Sequence, residues 1–214
     1  MKIGKHKVAR GIYLLRFETQ YELAATFLRV QEHYESPRFH GRIFSLEQYM
    51  DWYAATHGNF TYYQDWSGFN VPSTALRPFR DGKFDPLSEK EKRLVRLFER
   101  AREPFYVIGV FGRAAQSLTH ELAHALFFTD ADYGQAVCEA MGDYDIKALQ
   151  REIREAGYAD HVIADETQAY LVAPSSGLGA ATKRLAPLRR KLRALFKRHA
   201  AALSILDSMQ ALRG

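Results

Sequence analysis

Three observations predict an α+β fold, mostly helical with a small mixed β-sheet, for this chain of 214 residues. Helix-start signals recur ahead of stretches with helical apolar spacing. Short runs rich in β-branched and aromatic residues are few and do not alternate regularly with the helices. Hydrophobic residues make up 47% of the chain, enough to bury a core and to exclude global disorder. The length suits one domain. We divide it into an N-terminal αβ part over 1–103, a central part over 104–174 and a basic C-terminal helix within 175–214.

The elements follow in order. Lys7 to Phe17 carries Val8, Ile12, Leu14 and Leu15 and predicts one strand. Thr19 and Glu22 form a capping-box pattern ahead of Leu23, Phe27 and Leu28, so a helix is expected to Tyr34, with Pro37 ending it. A second box, Ser45 with Gln48, opens a helix through Trp52 and Tyr53 that stops at Gly58. A strand is expected at 60–64. A long ordered loop to Pro86 follows, with the aromatic segment Trp66–Pro72 packing on the core or lining a cleft. Ser88 and Glu91 form a third box before a helix with Leu94, Val95 and Phe98. Phe105–Phe111 is the clearest strand. Helices are expected over 114–128, 133–141, 146–156 and 160–172, and the segment Ser175–Gly179 reads as a break. A last helix runs from Pro187, which suits a first helical turn, to Leu212.

Charge is uneven. The formal net charge is +5, yet eight basic residues lie between Lys183 and Arg198, and no Asp or Glu occurs from Thr167 to Leu206. The rest of the chain is slightly acidic. A local patch describes one surface, here a helix with Leu185, Leu188, Leu192, Leu195 and Phe196 on its apolar side. Its basic side suits an acidic partner, nucleic-acid phosphates or a membrane surface, or is simply solvated. One cysteine, Cys138, excludes an internal disulfide and is expected to be a small buried residue. No apolar run is long enough to span a bilayer, and the stretch Gly11–Leu15 is too short for a signal-peptide core. The expected location is the cytoplasm.

The chemistry is concentrated in Leu118-Thr119-His120-Glu121-Leu122-Ala123-His124, which contains H-E-x-x-H. On a helix, positions i and i+4 share a face, so both imidazoles can hold one ion. Zinc accepts imidazole nitrogen and, at a catalytic site, leaves one position for water. Glu121 is placed to act on that water as general base without being a ligand. The apolar residues around the motif suit a buried helix.

The motif and the strand before it resemble the zincin metallopeptidases. The resemblance is specific at residues 120–124, is suggestive over 105–173 and covers nothing in 1–100. It implies zinc as cofactor, a peptide or protein substrate, and a strand at 105–111 that lies at the sheet edge and pairs with an extended substrate. It also implies a third ligand. Asp130 stands at the metzincin spacing, but Phe127 replaces the glycine that pattern needs. Glu166, on a later predicted helix, matches the glutamate-ligand branch, the gluzincins. The stretch to Pro174 loosely resembles the corresponding helix of ImmA/IrrE-type peptidases. Two helices would then form an insertion after the motif. Glu139 is a further alternative. Asp165 or Asp130 is a candidate to orient a ligand imidazole. Tyr170, His161 and Tyr133 are candidate donors to an oxyanion. Two other readings stay open: a non-catalytic binding or regulatory protein that uses its basic helix, and a hydrolase of a non-peptide amide.

Overall fold

The computed structural model describes residues 3–112, 118–173 and 184–203. It is α+β, with helices on both faces of a mixed four-stranded sheet. Strands β1 (Ile3–Ala9) and β2 (Ile12–Phe17) form an antiparallel hairpin. The single strand expected over Lys7–Phe17 is therefore two. Gly11 turns the chain at φ 75°, a left-handed conformation that glycine adopts freely, so the apolar run is cut in the middle.

The first helical layer is α1 (Gln20–Glu35), α2 (Leu46–His57), the single turn α3 (Tyr62–Asp65), α4 (Ser73–Arg80) and α5 (Glu89–Phe98). The three sequence boxes work as helix starts. Thr19 accepts from the Glu22 N–H, and the Ser45/Gln48 and Ser88/Glu91 boxes are reciprocal. The expected strand at 60–64 is instead the turn α3. The segment read as loop contains strand β3 (Gly68–Pro72) and α4. Phe69 and Val71 pack into the aromatic core with Tyr62, Phe27 and Phe79, while Trp66 remains 46% exposed. Gly-bounded aromatics hide a strand from pattern reading because the alternation is only two residues long.

Strand β4 (Tyr106–Phe111) pairs parallel with β2 and antiparallel with β3, giving the order β1-β2-β4-β3. The expected edge position of this strand is thus corrected: β4 is internal, and β1 and β3 are the edge strands. Residues Phe69–Pro72 of β3 are themselves buried, with α1 and α4 packed against the strand. A Cβ at Gly109 would meet Phe27 and Leu23 of α1 at 2.7 and 2.8 Å, so glycine is what lets α1 sit down on β4.

The sheet separates two cores. Leu15, Phe17, Val107, Phe69 and Val71 face the first helical layer. Ile12, Leu14, Tyr106, Ile108 and Val110 face the second. That layer is α6 (Leu118–Thr129), α7 (Ala131–Gly142), α8 (Lys147–Glu155), a 3-10 turn (Asp160–Val162), α9 (Ile163–Val172) and α10 (Ala186–Ala202). The first residues expected in the motif helix (114–117), the break at 175–179 and the end of the last helix beyond 203 lie outside the described residues. Helix α10 buries Leu188, Leu192, Phe196 and Ala200 and packs on α7 and α9. Cys138 is exposed on α7, which corrects the expectation that it is buried. Among the described residues, no helix is long and apolar enough to cross a membrane.

Candidate metal centre

His120 and His124 stand one turn apart on α6, with their Nε2 atoms 3.1 Å from each other. Helix α9 crosses α6 and delivers Glu166 to the same point. Its Oε2 lies 3.8 Å from His120 Nε2, and its Oε1 lies 3.6 Å from His124 Nε2. One ligand atom from each of these three residues lies within 4.8 Å of the others. Tetrahedral ligands at about 2.0–2.1 Å from zinc stand roughly 3.3 Å apart, close to this spacing. Glu166 Oε2 is buried and has no hydrogen-bond partner. A buried carboxylate oxygen left without a donor is costly unless a cation meets it. Two imidazoles, a carboxylate and an unpartnered oxygen therefore fit a zinc ion.

The surroundings of the ligands are asymmetric. His124 is almost fully buried, and its Nδ1 faces Asp165 Oδ1 at 2.9 Å. Gln168 Nε2 donates to that same oxygen at 2.9 Å, and the Tyr133 hydroxyl donates to Gln168 Oε1 at 2.9 Å. This chain of buried groups holds one face of the His124 ring. His120 is the more open ligand, with 11% of its side chain exposed. Its ring meets the edge of Tyr170 at 4.9 Å between centroids, and the Tyr170 hydroxyl lies 3.3 Å from that of Tyr158.

Glu121 follows His120 on α6 and is itself buried. Its Oε2 accepts from Asn70 Nδ2 at 2.6 Å, and Asn70 Oδ1 accepts from the Tyr106 hydroxyl. Since Tyr106 donates to the amide oxygen, the Asn70 NH₂ is the end that faces the carboxylate. This relay ties the motif helix to β3 and β4.

Burial dominates the electrostatics. It pushes Glu166 up to about 8, against the pull of His124, and pushes Glu121 upward, with His124 and Asn70 opposing. Burial and His124 together lower His120 to about 3. Burial works against charge on His124 too, but Asp165 and Glu166 outweigh it and hold that imidazole well above its ordinary value. A divalent ion reverses this pattern by favouring ionised carboxylates and neutral imidazoles.

The structure thus brings together His120, His124, Glu166, Glu121, Asp165 and Tyr170. It takes the others elsewhere. Asp130 caps α7 through the Tyr133 N–H and lies 2.8 Å from His199 Nδ1. Glu139 is exposed and bonded to Gln135. Tyr133 supports Gln168 rather than the centre itself. His161 stacks on His40 at 3.7 Å between centroids and meets the edge of the Tyr34 ring. Asn70, Tyr106, Gln168 and Tyr158 escape sequence reasoning. Asn70 carries a legible signal only after β3 is known, because Phe69 and Val71 face one core and so turn the residue between them toward the other. Comparison of the chain with protein-family models, with curated proteins and with solved structures found no match.

Proposed function

We propose that the protein is a zinc-dependent peptidase whose metal ligands are His120, His124 and Glu166. The observation that carries this reading is the unpartnered, buried Glu166 Oε2 beside two imidazoles of an H-E-x-x-H helix. When bound, zinc supplies a Lewis acid that polarises the scissile carbonyl and lowers the pKa of an attacking water toward about 7. Glu121 then takes the water's proton and passes it to the leaving amine. Asn70 holds Glu121 Oε2, which leaves the other carboxylate oxygen to act on the water. Asp165, fixed by Gln168 and Tyr133, keeps His124 oriented. Tyr170 and Tyr158 are the nearby hydroxyl donors for a carbonyl oxygen that gains negative charge. Tyr158 remains protonated because burial and then Glu166 raise its pKa. Substrate approaches from the side of His120 and Tyr170, the more open side, since the β3 edge is buried.

The test combines zinc stoichiometry with turnover of a mixed peptide library read by mass spectrometry. The wild type should bind about one zinc per chain and cleave. Glu121→Gln should keep the zinc and lose at least about a hundredfold in rate. A protein that takes up no zinc, or a Glu121→Gln variant that cleaves like the wild type, overturns the reading.

A further inference from the structure

Helix α10 is held in one orientation by polar ties to its neighbours. Arg193 Nε donates to the Val172 carbonyl at the end of α9 at 2.8 Å. Lys191 Nζ lies 3.1 Å from Oδ2 of Asp143, the residue that ends α7. His199 Nδ1 lies 2.8 Å from Oδ2 of Asp130, the residue that starts α7. Leu188, Leu192, Phe196 and Ala200 are buried in the second core. The opposite face is therefore fixed as well. With about 3.6 residues per turn, it presents Arg190, Ala194, Lys197, Arg198 and Ala201, all exposed. Among the described residues, Arg190, Lys197 and Arg198 have no acidic partner. The stretch from Thr167 to Leu206 has no Asp or Glu to supply one nearby in the chain.

The chemistry of this face narrows its partner to one kind of polyanion. An anionic membrane is held firmly where an apolar group joins the cations. Here the apolar side of α10 lies in the core, and the outward positions between the cations are Ala194 and Ala201. A protein interface is anchored on large side chains, aromatic ones above all, near its centre. None stands on this face: Phe196 is buried, and the His199 ring is turned to Asp130. Single-stranded nucleic acid is bound by stacking its bases on aromatic rings, which the same face lacks. Duplex DNA needs no such ring, because its phosphates attract Lys and Arg whatever the base sequence. Spacing agrees. Lys197 and Arg198 follow Arg190 by seven and eight residues, roughly 10–12 Å along the helix axis. The major groove of DNA is about 12 Å wide.

We propose that the outer face of α10 docks across the major groove of duplex DNA, with Arg190 on one phosphate ridge and Lys197 and Arg198 on the other. Arg193 is exposed beside them and keeps its terminal nitrogens for a fourth phosphate. No Asn, Gln, Ser or Thr occurs in α10. Its cations stand on the one free side of a packed helix, which lies over the groove rather than within it, so they meet phosphates before base edges and the docking is independent of sequence. The surface does not rest on the metal-centre reading above.

The experiment measures fluorescence anisotropy of a labelled DNA duplex of mixed sequence, about 20 base pairs long, against the full chain from roughly 50 to 300 mM salt. Four phosphate contacts predict that the logarithm of the association constant falls with the logarithm of salt at a slope of about −3 to −4. The triple variant Arg190→Gln, Lys197→Gln, Arg198→Gln should bind at least about tenfold more weakly at low salt, and its slope should shrink to about −1. A control removes the same charge on the side of the first helical layer, at the exposed residues Lys83, Arg100 and Arg102, each changed to Gln. It should bind within about twofold of the wild type, since distant charges are screened. Single-stranded DNA of the same length, phosphatidylserine vesicles and polyglutamate, compared at equal charge, should each bind more weakly than the duplex. Tighter binding of any of them overturns the proposal. So does a wild type without salt-dependent duplex binding, a first triple variant that binds like the wild type, or an equal loss in both triple variants. If the first triple variant does not fold, Lys197→Gln alone replaces it, and a salt slope that fails to shrink by about 1 is then the overturning result.

Discussion

The two faces of the sheet each bury a cluster of charged groups, and the clusters are built to opposite rules. On the aromatic face, Arg29 and Glu91 form a bidentate pair at 2.7 and 2.6 Å, both almost fully buried. Arg29 also reaches the carbonyls of Phe44, Phe84 and Pro86, and Glu91 caps α5 through the Ser88 N–H. Donors and acceptors are matched. On the other face, His124 and Glu166 are as deeply placed, with His120 a little more open, yet Glu166 Oε2 has no donor. The matched cluster ties α1 to α5 and to the segments at Phe44 and Phe84–Pro86, and wants nothing more. The unmatched one keeps its atoms at ligand spacing without a partner. Burial of charge therefore does not by itself mark a functional site; what distinguishes this one is a carboxylate oxygen without a donor at ligand spacing from two imidazoles. The surface depression lined by Arg29, Phe44, Ser45, Phe84, Pro86 and Glu91 makes the same point, because it lies over groups that are already satisfied.

Substitutions can break this contrast. The largest expected effect on the metal-free fold is on the matched side. Glu91→Gln leaves Arg29 without its counter-charge and should cost about 3 kcal/mol or more in urea unfolding, with zinc uptake unchanged. Glu166→Gln should do the reverse. The metal-free protein should be as stable as the wild type or more so at pH 7, since Glu166 is disfavoured as an anion there. The stabilisation by zinc, about 4 kcal/mol at a thousandfold excess over Kd, should vanish from thermal melts. If both variants lose stability equally without metal, the contrast is false. Asp165→Asn should weaken zinc roughly 10- to 100-fold in a competition titration, because His124 loses its charged partner but keeps its place.

The smallest effect concerns pH. Glu32 lies among Tyr62, Tyr49 and Ser36 on the aromatic side, and burial raises its carboxyl to about 7 despite those hydrogen bonds. Its ordinary value is near 4.5, so between those limits the folded state holds more protons than the unfolded state. Stability from this group is therefore full below pH 4.5 and falls as pH rises to 7, with a slope of at most about 1.4 kcal/mol per pH unit. Urea titrations of metal-free wild type and Glu32→Gln should differ by that slope, and an identical pH dependence would remove Glu32 from the account.

Much of this was legible before folding. The three capping boxes were readable because they are local: side chain and backbone partners lie three residues apart. The pair His120 and His124 was readable for the same reason, since one helical turn fixes their relation. The hairpin at Gly11 and the strand at 68–72 were not, because short strands in aromatic surroundings show no period until a partner strand sets it. The burial of β3 and the internal place of β4 depend on which strands pair, and no spacing rule reports that.

The sequence alone determined the α+β class, the helix starts and a helix able to present two imidazoles and a carboxylate. Only the tertiary structure decided that Glu166, and neither Asp130 nor Glu139, meets those imidazoles. It alone also brought Asn70 to Glu121. The physical reason is range. Caps and i, i+4 pairs are set within a turn of backbone, whereas contacts between α1, β3, α6 and α9 exist only after the sheet has fixed which face each element occupies.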